Sequence, residues 1–322
     1  MVGTLNPVDK RHEVDRVDRK DQAGLAWQSK GVLLLVLPIT AVSVLLQSNW
    51  WIAQVPAVAW TTLGISGIFG LIVWRLRAGT AGAAATGAGI TASLMYATTR
   101  FPYQSSWLHG GLPPLLAVFL LTFAATKIGR ARKEQLGSAE SSRGRNAAQV
   151  AANLGIAALG AQLVWVGSVF FRLAGSDSLI TLAVIASLAE AAADTVSSEI
   201  GQVLGGTPRL LTTFARVEAG TDGGMTITGS GAGILAAVIV ASVGVWSSGV
   251  SLADREGQTL LGLATMGAVF GLLFDSLLGA TFERKRWLNN DAVNFLSTLS
   301  AAIFPFAVLA LSVRLHSGSV LF

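Results

Sequence analysis

Long stretches without a charged side chain dominate this sequence and predict its structure. Eight such stretches lie between residues 31 and 313, and most are long enough for a helix that crosses the roughly 30 Å hydrocarbon layer of a membrane. The longest, 31–74, has a polar break at 47–49 and therefore accommodates two helices. The fold class predicted is all-α, a polytopic membrane helical bundle. It has about nine transmembrane helices, at 31–47, 56–74, 78–98, 112–127, 150–171, 178–200, 229–247, 258–282 and 292–313.

Composition supports a membrane protein and excludes several kinds of site. The 322 residues are 52% hydrophobic and only 13% charged, with a mean hydropathy of +0.59, whereas soluble domains carry about 25% charged residues. The absence of cysteine excludes disulfides, thiolate catalysis and cysteine-ligated metals. No nucleic acid partner is expected, because no basic stripe is interleaved with aromatic residues. The basic excess instead suits anionic lipids of the bilayer.

The lysines and arginines predict how the bundle is oriented. With a cytoplasmic N-terminus and nine helices, nineteen of the 23 lysines and arginines fall on the cytoplasmic side, as the positive-inside rule requires. In a bacterium this would be the inner (plasma) membrane. The predicted regions are a charged cytoplasmic tail (1–30), N-terminal transmembrane helices (31–126), a basic cytoplasmic loop (127–149) and a C-terminal transmembrane catalytic region (150–322).

Acidic residues inside predicted transmembrane helices are the first candidates for function. Glu190, Asp194 and Glu199 lie in the cytoplasmic half of the sixth helix, and Asp275 lies at a similar depth in the eighth. Asp194 and Asp275 are each followed by a hydroxyl residue, Ser276 in the second case. A charge deep in a helix costs roughly 2.5–3.5 kcal/mol on insertion scales, so the acids need compensation. They either pair with arginines or stay protonated, or else they bind Mg²⁺, which prefers such oxygen ligands.

A glycine-rich segment, GTDGG at 220–224, is the second candidate. Gly220, Gly223 and Gly224 surround Thr221 and Asp222. Such a composition lets backbone N–H groups close around an anion, and it equally suits a sharp turn before a helix. The chain has no GxxxxGK[ST] motif, so the segment is not a Walker A loop.

Basic and amide residues at the cytoplasmic ends of helices are the third group of candidates. Guanidinium and ammonium groups there can hold phosphates, and carboxamides can recognise a base or sugar or bind a metal. The alternative for the basic residues is a loop that only sets topology. The group consists of Lys127, Arg145, Asn153, Arg284, Asn290 and Asn294.

Four segments together resemble an integral-membrane family called domain of unknown function 92, which includes animal transmembrane protein 19 and a plant phytyl-phosphate kinase. They are GRNAAQVAANLG (144–155), ADTVSSEIG (193–201), GTDGGMTITG (220–229) and FDSLLGATFERKRWLNNDAVN (274–294). The resemblance covers roughly residues 30–315. Asp222 departs from the family pattern, which is closer to GTSGG, so the resemblance assigns it no role.

The resemblance implies a membrane kinase that transfers a phosphoryl group from a nucleoside triphosphate, CTP, to an isoprenoid monophosphate. In that reading Asp194, Glu199 and Asp275 hold Mg²⁺, with Glu190 in support. Lys127, Arg145 and Arg284 neutralise phosphate charge, and the segment from Gly220 to Gly224 approaches the nucleotide. Two alternatives remain open: a CTP-dependent lipid cytidylyltransferase, and a cation- or proton-coupled membrane transporter.

Overall fold

The computed structural model describes residues 7–99, 108–166 and 176–318. Ten α-helices, a π-helical turn and a two-stranded hairpin make up this part of the chain. The helices are α1 Pro7–Gln54, α2 Pro56–Arg75, α3 Ala81–Ala97, α4 Leu112–Lys127, α5 Arg130–Leu136, α6 Ala147–Val166, α7 Ser176–Leu204, α8 Ile227–Ser247, α9 Arg255–Leu278 and α10 Asn290–Gly318. Strands β1 Arg209–Leu210 and β2 Gly224–Met225 pair antiparallel, and the π-helical turn Gly279–Glu283 follows α9.

The all-α membrane fold is confirmed, whereas the number of nine transmembrane spans is not. Each predicted helix overlaps an observed one, and residues 167–171 of the predicted helix 150–171 lie outside the described residues. Within the described residues, seven helices are long and apolar enough to cross a membrane, and α4 with α5, bent by 68° at their junction, gives an eighth if the pair is one span. Helix α3, with 17 residues, is shorter than these spans. Helix α1 begins well before the predicted residue 31, and its apolar part begins at Gly24.

Side chains and prolines at the helix ends explain where several helices begin. Pro56 lies at the start of α2, where its missing N–H removes no helical hydrogen bond. The Thr80 hydroxyl caps α3 by accepting a hydrogen bond from the Ala83 N–H, at 3.3 Å. Thr226 caps α8 in the same way through the Gly229 N–H, at 3.0 Å. Local chemistry therefore sets the boundaries beside the loops that carry the candidate residues.

Helix α7 forms the centre of the bundle, and α4, α6, α8, α9 and α10 pack around it. Its middle consists of small buried residues, including Ala189, Ala192 and Ala193. Helix α8 crosses closely here, since a Cβ on Gly233 would lie 2.7 Å from the Ala193 carbonyl oxygen. Small residues at such crossings let two helix backbones approach in a membrane. Glu190, which lies in this part of α7, is consequently surrounded by protein rather than by lipid.

Helices α1, α2 and α3 form a second group that packs on α6. A buried chain of hydrogen bonds joins three of these helices: Gln47 of α1 donates to the Gln162 side chain of α6 at 2.9 Å, and Gln162 donates to Ser93 of α3. Helix α4 instead packs on α7 and α8 and contacts α3 only slightly. This division leaves a cleft between α4 on one side and α2 and α3 on the other.

Candidate functional site

The structure brings together acids of two helices at the centre of the bundle. Glu190 and Asp194 lie one turn apart on α7, and Asp275 of α9 faces them. The carboxyl groups of Asp194 and Asp275 lie within hydrogen-bonding range of each other. Two adjoining carboxylates repel unless a proton or a cation lies between them. This cluster, Glu190, Asp194 and Asp275, is called the acid cluster below.

Two oxygens of the acid cluster are buried without a hydrogen-bond partner: Oε1 of Glu190 and Oδ1 of Asp275. Glu190 is 1% exposed, and a Cβ on Gly271 of α9 would lie 2.5 Å from its Cγ, so glycine makes the room that the glutamate occupies. Unsatisfied carboxyl oxygens are costly in a bilayer. Their arrangement suits Mg²⁺, which commonly takes one or two carboxylates and completes its shell with water and phosphate.

The described residues contain no group of three or more histidine, aspartate or glutamate side chains that converges on one ion position. Glu199, predicted as a metal ligand, is instead engaged elsewhere. Its Oε2 accepts a hydrogen bond from Lys133 Nζ at 2.5 Å, and its Oε1 accepts one from Thr126 Oγ1 at 3.1 Å. The fit to Mg²⁺ therefore rests on Asp194 and Asp275, with Glu190 beside them.

Lys133 is a residue that the sequence analysis missed, because it lies in a charge-rich loop. It is 1% exposed, and its Nζ also donates to the carbonyl oxygens of Ala125 and Thr126, both at 3.0 Å. The glycines that flank α5, Gly129 and Gly137, both have positive φ, and the chain bends by 68° between α4 and α5. This pair of glycines is compatible with turns at both ends of the basic segment, but it does not predict that Lys133 is buried.

Arg145 connects the acid cluster to the cleft. Its N–H donates to the Ala78 carbonyl at 3.1 Å, and its carbonyl accepts from the Thr80 N–H at 2.9 Å. Gly144 permits this approach, because a Cβ there would lie 2.3 Å from the Ala78 carbonyl carbon and φ is +72°. Nη2 of Arg145 donates to Thr195 Oγ1 at 3.2 Å, beside Asp194. The positive charge is thus fixed at the edge of the acid cluster.

The cleft beside Arg145 has a polar end and an apolar end. Its polar end carries four basic residues, and Glu140, whose Oε2 lies 3.9 Å from Nε of Arg145, is an acid there. Asn153 also lines it and is held by a hydrogen bond from its Nδ2 to the Gln149 carbonyl, at 2.9 Å. The basic residues are Arg77, Lys127, Arg130 and Arg145, and the apolar lining includes Phe69, Val73, Gly87, Leu115, Val118, Phe119, Phe123, Leu154 and Ala191.

The glycine segment packs against the end of α9. A Cβ on Gly223 would lie 2.2 Å from the Ala280 nitrogen and 2.5 Å from the Ser276 carbonyl oxygen, so only glycine fits there. The N–H groups of Thr221 and Gly224 are used in turns, donating to Glu218 and Thr221 carbonyls respectively. The segment therefore forms a sharp turn, one of the two structures that its composition predicts.

Asp222 lies at the surface of this segment near Arg284. Partial desolvation by the surrounding protein raises the pKa of the exposed Asp222 carboxyl above its ordinary value, and the positive charge of Arg284 offsets part of that rise. The π-helical turn that precedes Arg284 interrupts the regular end of α9, and such turns are frequent at functional sites. The glycine segment and the basic residue Arg284 thus form one surface beside the acid cluster.

The remaining predicted residues lie around the ends of α9 and α10. Ser276 is buried, Asn294 is half-buried and Asn290 is exposed. The neighbouring Asn289, which the sequence analysis did not select, has the more extensive contacts. Its Nδ2 donates to Leu25 O and Ser29 Oγ of α1, both at 2.9 Å, and its Oδ1 caps α10. Asn289 thereby ties α1 to the start of α10.

Three related proteins are similar to this chain. Protein VTE6, chloroplastic, of Arabidopsis thaliana is 32% identical over 212 residues, which is 65% of this chain and 60% of the relative. Uncharacterized membrane protein MJ0933 of Methanocaldococcus jannaschii is 44% identical over 119 residues, 37% of this chain and 47% of the relative. Uncharacterized membrane protein sll0875 of Synechocystis is 32% identical over 218 residues, 64% of this chain and 80% of the relative.

This chain thus spans less than two thirds of the length of VTE6 and of MJ0933. No solved structure matches the chain significantly. The family model described as integral membrane protein DUF92 matches residues 64–302, which contain the acid cluster, the cleft, the glycine segment and the start of α10. From the match over most of its length, we conclude that this chain belongs to the integral membrane protein DUF92 family.

Proposed function

We propose that the protein is a membrane kinase that transfers the γ-phosphoryl group of a nucleoside triphosphate, CTP, to an isoprenoid monophosphate. The products are the isoprenoid diphosphate and CDP. The family membership, together with the phytyl-phosphate kinase that the sequence resemblance implies, supports a lipid phosphate as the acceptor.

One observation carries the proposal: a cleft with an apolar end and a basic end meets the acid cluster at Arg145. An isoprenoid phosphate has the same two parts, an apolar chain and an anionic head. Arg145 lines the cleft and donates to Thr195, which follows Asp194 on α7. A phosphate held at the basic end is therefore presented to the carboxylates rather than to bulk lipid.

Different residues would hold the two substrates. Lys127 and Arg145, at the basic end of the cleft, would bind the acceptor phosphate; Lys127 is exposed, and its Nζ lies 5.1 Å from the centre of the Phe123 ring. The glycine segment and Arg284, on the other side of the acid cluster, would approach the nucleotide phosphates. Charge neutralisation and positioning are the main requirements of phosphoryl transfer.

The chemistry needs no strong base. The acceptor phosphate is largely a dianion at neutral pH, since its second pKa is about 6. One of its oxygens attacks the γ-phosphorus of CTP, and the bond from that phosphorus to the β-bridging oxygen breaks, so CDP leaves with the electron pair. Asp194 and Asp275, with Glu190 beside them, would hold Mg²⁺. When bound, the ion would neutralise negative charge on the phosphate oxygens.

We further propose that this site faces the cytoplasm, where CTP is available. The basic loop 127–149 and the loop around Arg284 lie at the same end of the bundle as the site. The excess of lysine and arginine in these loops supports a cytoplasmic position. In a bacterium the membrane would be the inner membrane.

The activity is tested with the full-length protein in detergent micelles, given CTP, Mg²⁺ and geranylgeranyl monophosphate. We expect the diphosphate and CDP as products, identified by mass spectrometry. Asp194→Asn should lower kcat at least about a hundredfold, since charge stabilisation at a metal site is worth several kcal/mol. Asp254→Asn is the matched control, because Asp254 is exposed at the opposite end of α9 and makes no capping hydrogen bond.

Other products would indicate a different function. Pyrophosphate with a cytidylylated lipid would indicate a cytidylyltransferase, because attack would then occur at the α-phosphorus. Ion or substrate uptake in proteoliposomes without nucleotide, and no turnover of CTP, would indicate a transporter. An Asp194→Asn variant as active as Asp254→Asn would refute the role of the acid cluster.

A further inference from the structure

Phosphate binding accounts for the basic end of the cleft but not for the length of its apolar end. It extends between Phe69 of α2, Gly87 of α3 and the residues Leu115, Val118 and Phe119 of α4. We call these five residues the apolar arm. Leu115 lies twelve residues before Lys127 on α4, so at 1.5 Å per residue the arm reaches about 18 Å from the basic end. That depth is about half of the hydrocarbon layer.

The arm is inside the protein rather than on its lipid-facing surface. Leu115 is 1% exposed, whereas Leu120 on the same helix is 63% exposed. Phe69 is also buried, and its ring meets that of Phe119 edge to face at 5.3 Å between centroids. The residues of the arm therefore form an apolar lining, enclosed by protein, at the inner end of the cleft, and such a lining favours an apolar chain over water.

We propose that the apolar arm binds the isoprenoid chain of the acceptor and that Phe69, Phe119 and Gly87 determine which chain length is accepted. This inference rests on the proposed function for the identity of the head group. The basic residues at the mouth fix the phosphate end, so chain length alone decides how far the other end reaches. Because the phosphate is fixed, the length of the chain decides whether its far end fits within the depth of the arm.

The aromatic pair, Phe69 and Phe119, and Gly87 lie at the same depth in the arm and separate its outer part from its inner part. Phe119 lies eight residues before Lys127, which places the pair about 12 Å from the basic end. A Cβ on Gly87 would lie 3.9 Å from Cε1 of Phe69, an ordinary contact, so a small side chain fits there but a larger one fills the space. Chains that end before this level avoid the three residues, and longer chains must pass them.

The inference is tested by binding without nucleotide. Radiolabelled geranyl, farnesyl and geranylgeranyl monophosphates are titrated onto the full-length protein in nanodiscs, with empty nanodiscs subtracted. Gly87→Leu should weaken binding of geranylgeranyl monophosphate about tenfold or more relative to geranyl monophosphate, because the extra apolar carbons lose their site. Phe69→Ala should shift the ratio of the two affinities in the opposite direction.

Two controls change the same residue types outside the arm. Gly67→Leu places a leucine on the exposed side of α2, where a Cβ meets nothing within 4 Å. Phe306→Ala removes a ring of α10 that is 38% exposed. Neither should change the affinity ratio. Retained binding of geranyl monophosphate by Gly87→Leu also establishes that this variant is folded.

The outcomes separate this inference from the proposed kinase activity. If both chain lengths weaken equally in Gly87→Leu, or the ratio stays constant in both arm variants, the arm is not the chain site, even where phosphoryl transfer is observed. If the ratio shifts as expected but CTP is never turned over, the arm binds isoprenoid chains and the kinase proposal fails.

Discussion

At the scale of single residues, the ion pair between Lys133 and Glu199 gives Glu199 a structural partner within the protein. Lys133 Nζ donates to Glu199 Oε2 at 2.5 Å and to two carbonyl oxygens at the end of α4. These contacts bind the basic loop to α7, and they compensate the charge of Glu199. Glu199 accordingly holds the mouth of the cleft in place beside the acid cluster.

Removal of Lys133 should destabilise the protein strongly. In Lys133→Met, Glu199 keeps a half-buried charge without its partner, and loss of one member of a buried pair costs roughly 3–5 kcal/mol. The free energy of unfolding, measured by titrating a mild-detergent solution with a denaturing detergent, should fall by that order. Adding Glu199→Gln should restore much of the loss.

The control is Arg130→Met. Arg130 pairs with Glu134 at 2.8 Å, but their side chains are 42% and 56% exposed, so about 1 kcal/mol or less should be lost. Equal losses in Arg130→Met and Lys133→Met would mean that the Lys133–Glu199 pair does not anchor the loop.

The sequence predicts some residues of the site better than others. Glu190, Asp194 and Asp275 could be selected because a carboxylate within an apolar helix is costly wherever the helix packs. Lys133 could not, because its burial depends on the bend between α4 and α5 and on the contact of α5 with α7. From the sequence alone, a lysine in a charge-rich loop is expected to be exposed to solvent.

At the scale of elements, the glycine segment packs closely against the π-helical turn after α9. Gly279 and Gly223 approach so closely that a Cβ on Gly279 would lie 2.7 Å from the Gly223 nitrogen. This contact places Asp222 and the preceding turn next to Arg284. The segment and the turn should therefore act as one nucleotide-binding surface.

Gly223→Ala tests this contact. The new methyl group would collide with the Ala280 backbone at 2.2 Å and displace the segment, and a displacement near 1 Å can cost about a hundredfold in rate. We expect kcat/KM for CTP to fall roughly tenfold to a hundredfold.

Gly206→Ala is the matched control for the backbone conformation. Gly206 has the same φ of +71° as Gly223 but nothing within 4 Å of its Cβ position. Its alanine variant carries the same backbone strain without the collision. An equal loss of activity in the two variants would attribute the effect to strain and contradict the role of the contact.

Helices were predictable as elements, whereas their ends and angles were not. Apolar runs located all nine predicted helices, because a membrane helix must be apolar along its length whatever its neighbours are. The start of α1 at Pro7 and the 68° bend after Lys127 lie outside those runs, and the bend falls at Gly129, whose φ is +62°.

At the scale of the whole molecule, the proposed site joins regions that the sequence suggested were separate. The acid cluster belongs to α7 and α9, whereas the cleft is lined largely by α2, α3 and α4. Arg145, from the loop between them, is fixed by backbone hydrogen bonds to residues 78 and 80 and reaches Thr195. The cleft itself could not be predicted, because it arises from the weak contact of α3 with α4.

We propose that α7 and α9 together hold the metal at which phosphate chemistry occurs. The most direct measurement is an experimental structure of the full-length protein with Mn²⁺ in place of Mg²⁺ and a non-hydrolysable CTP analogue, with the metal located by anomalous scattering. We expect a metal ion bound by Asp194 and Asp275, with the triphosphate toward the glycine segment and Arg284. A metal–nucleotide complex bound away from both aspartates would contradict it.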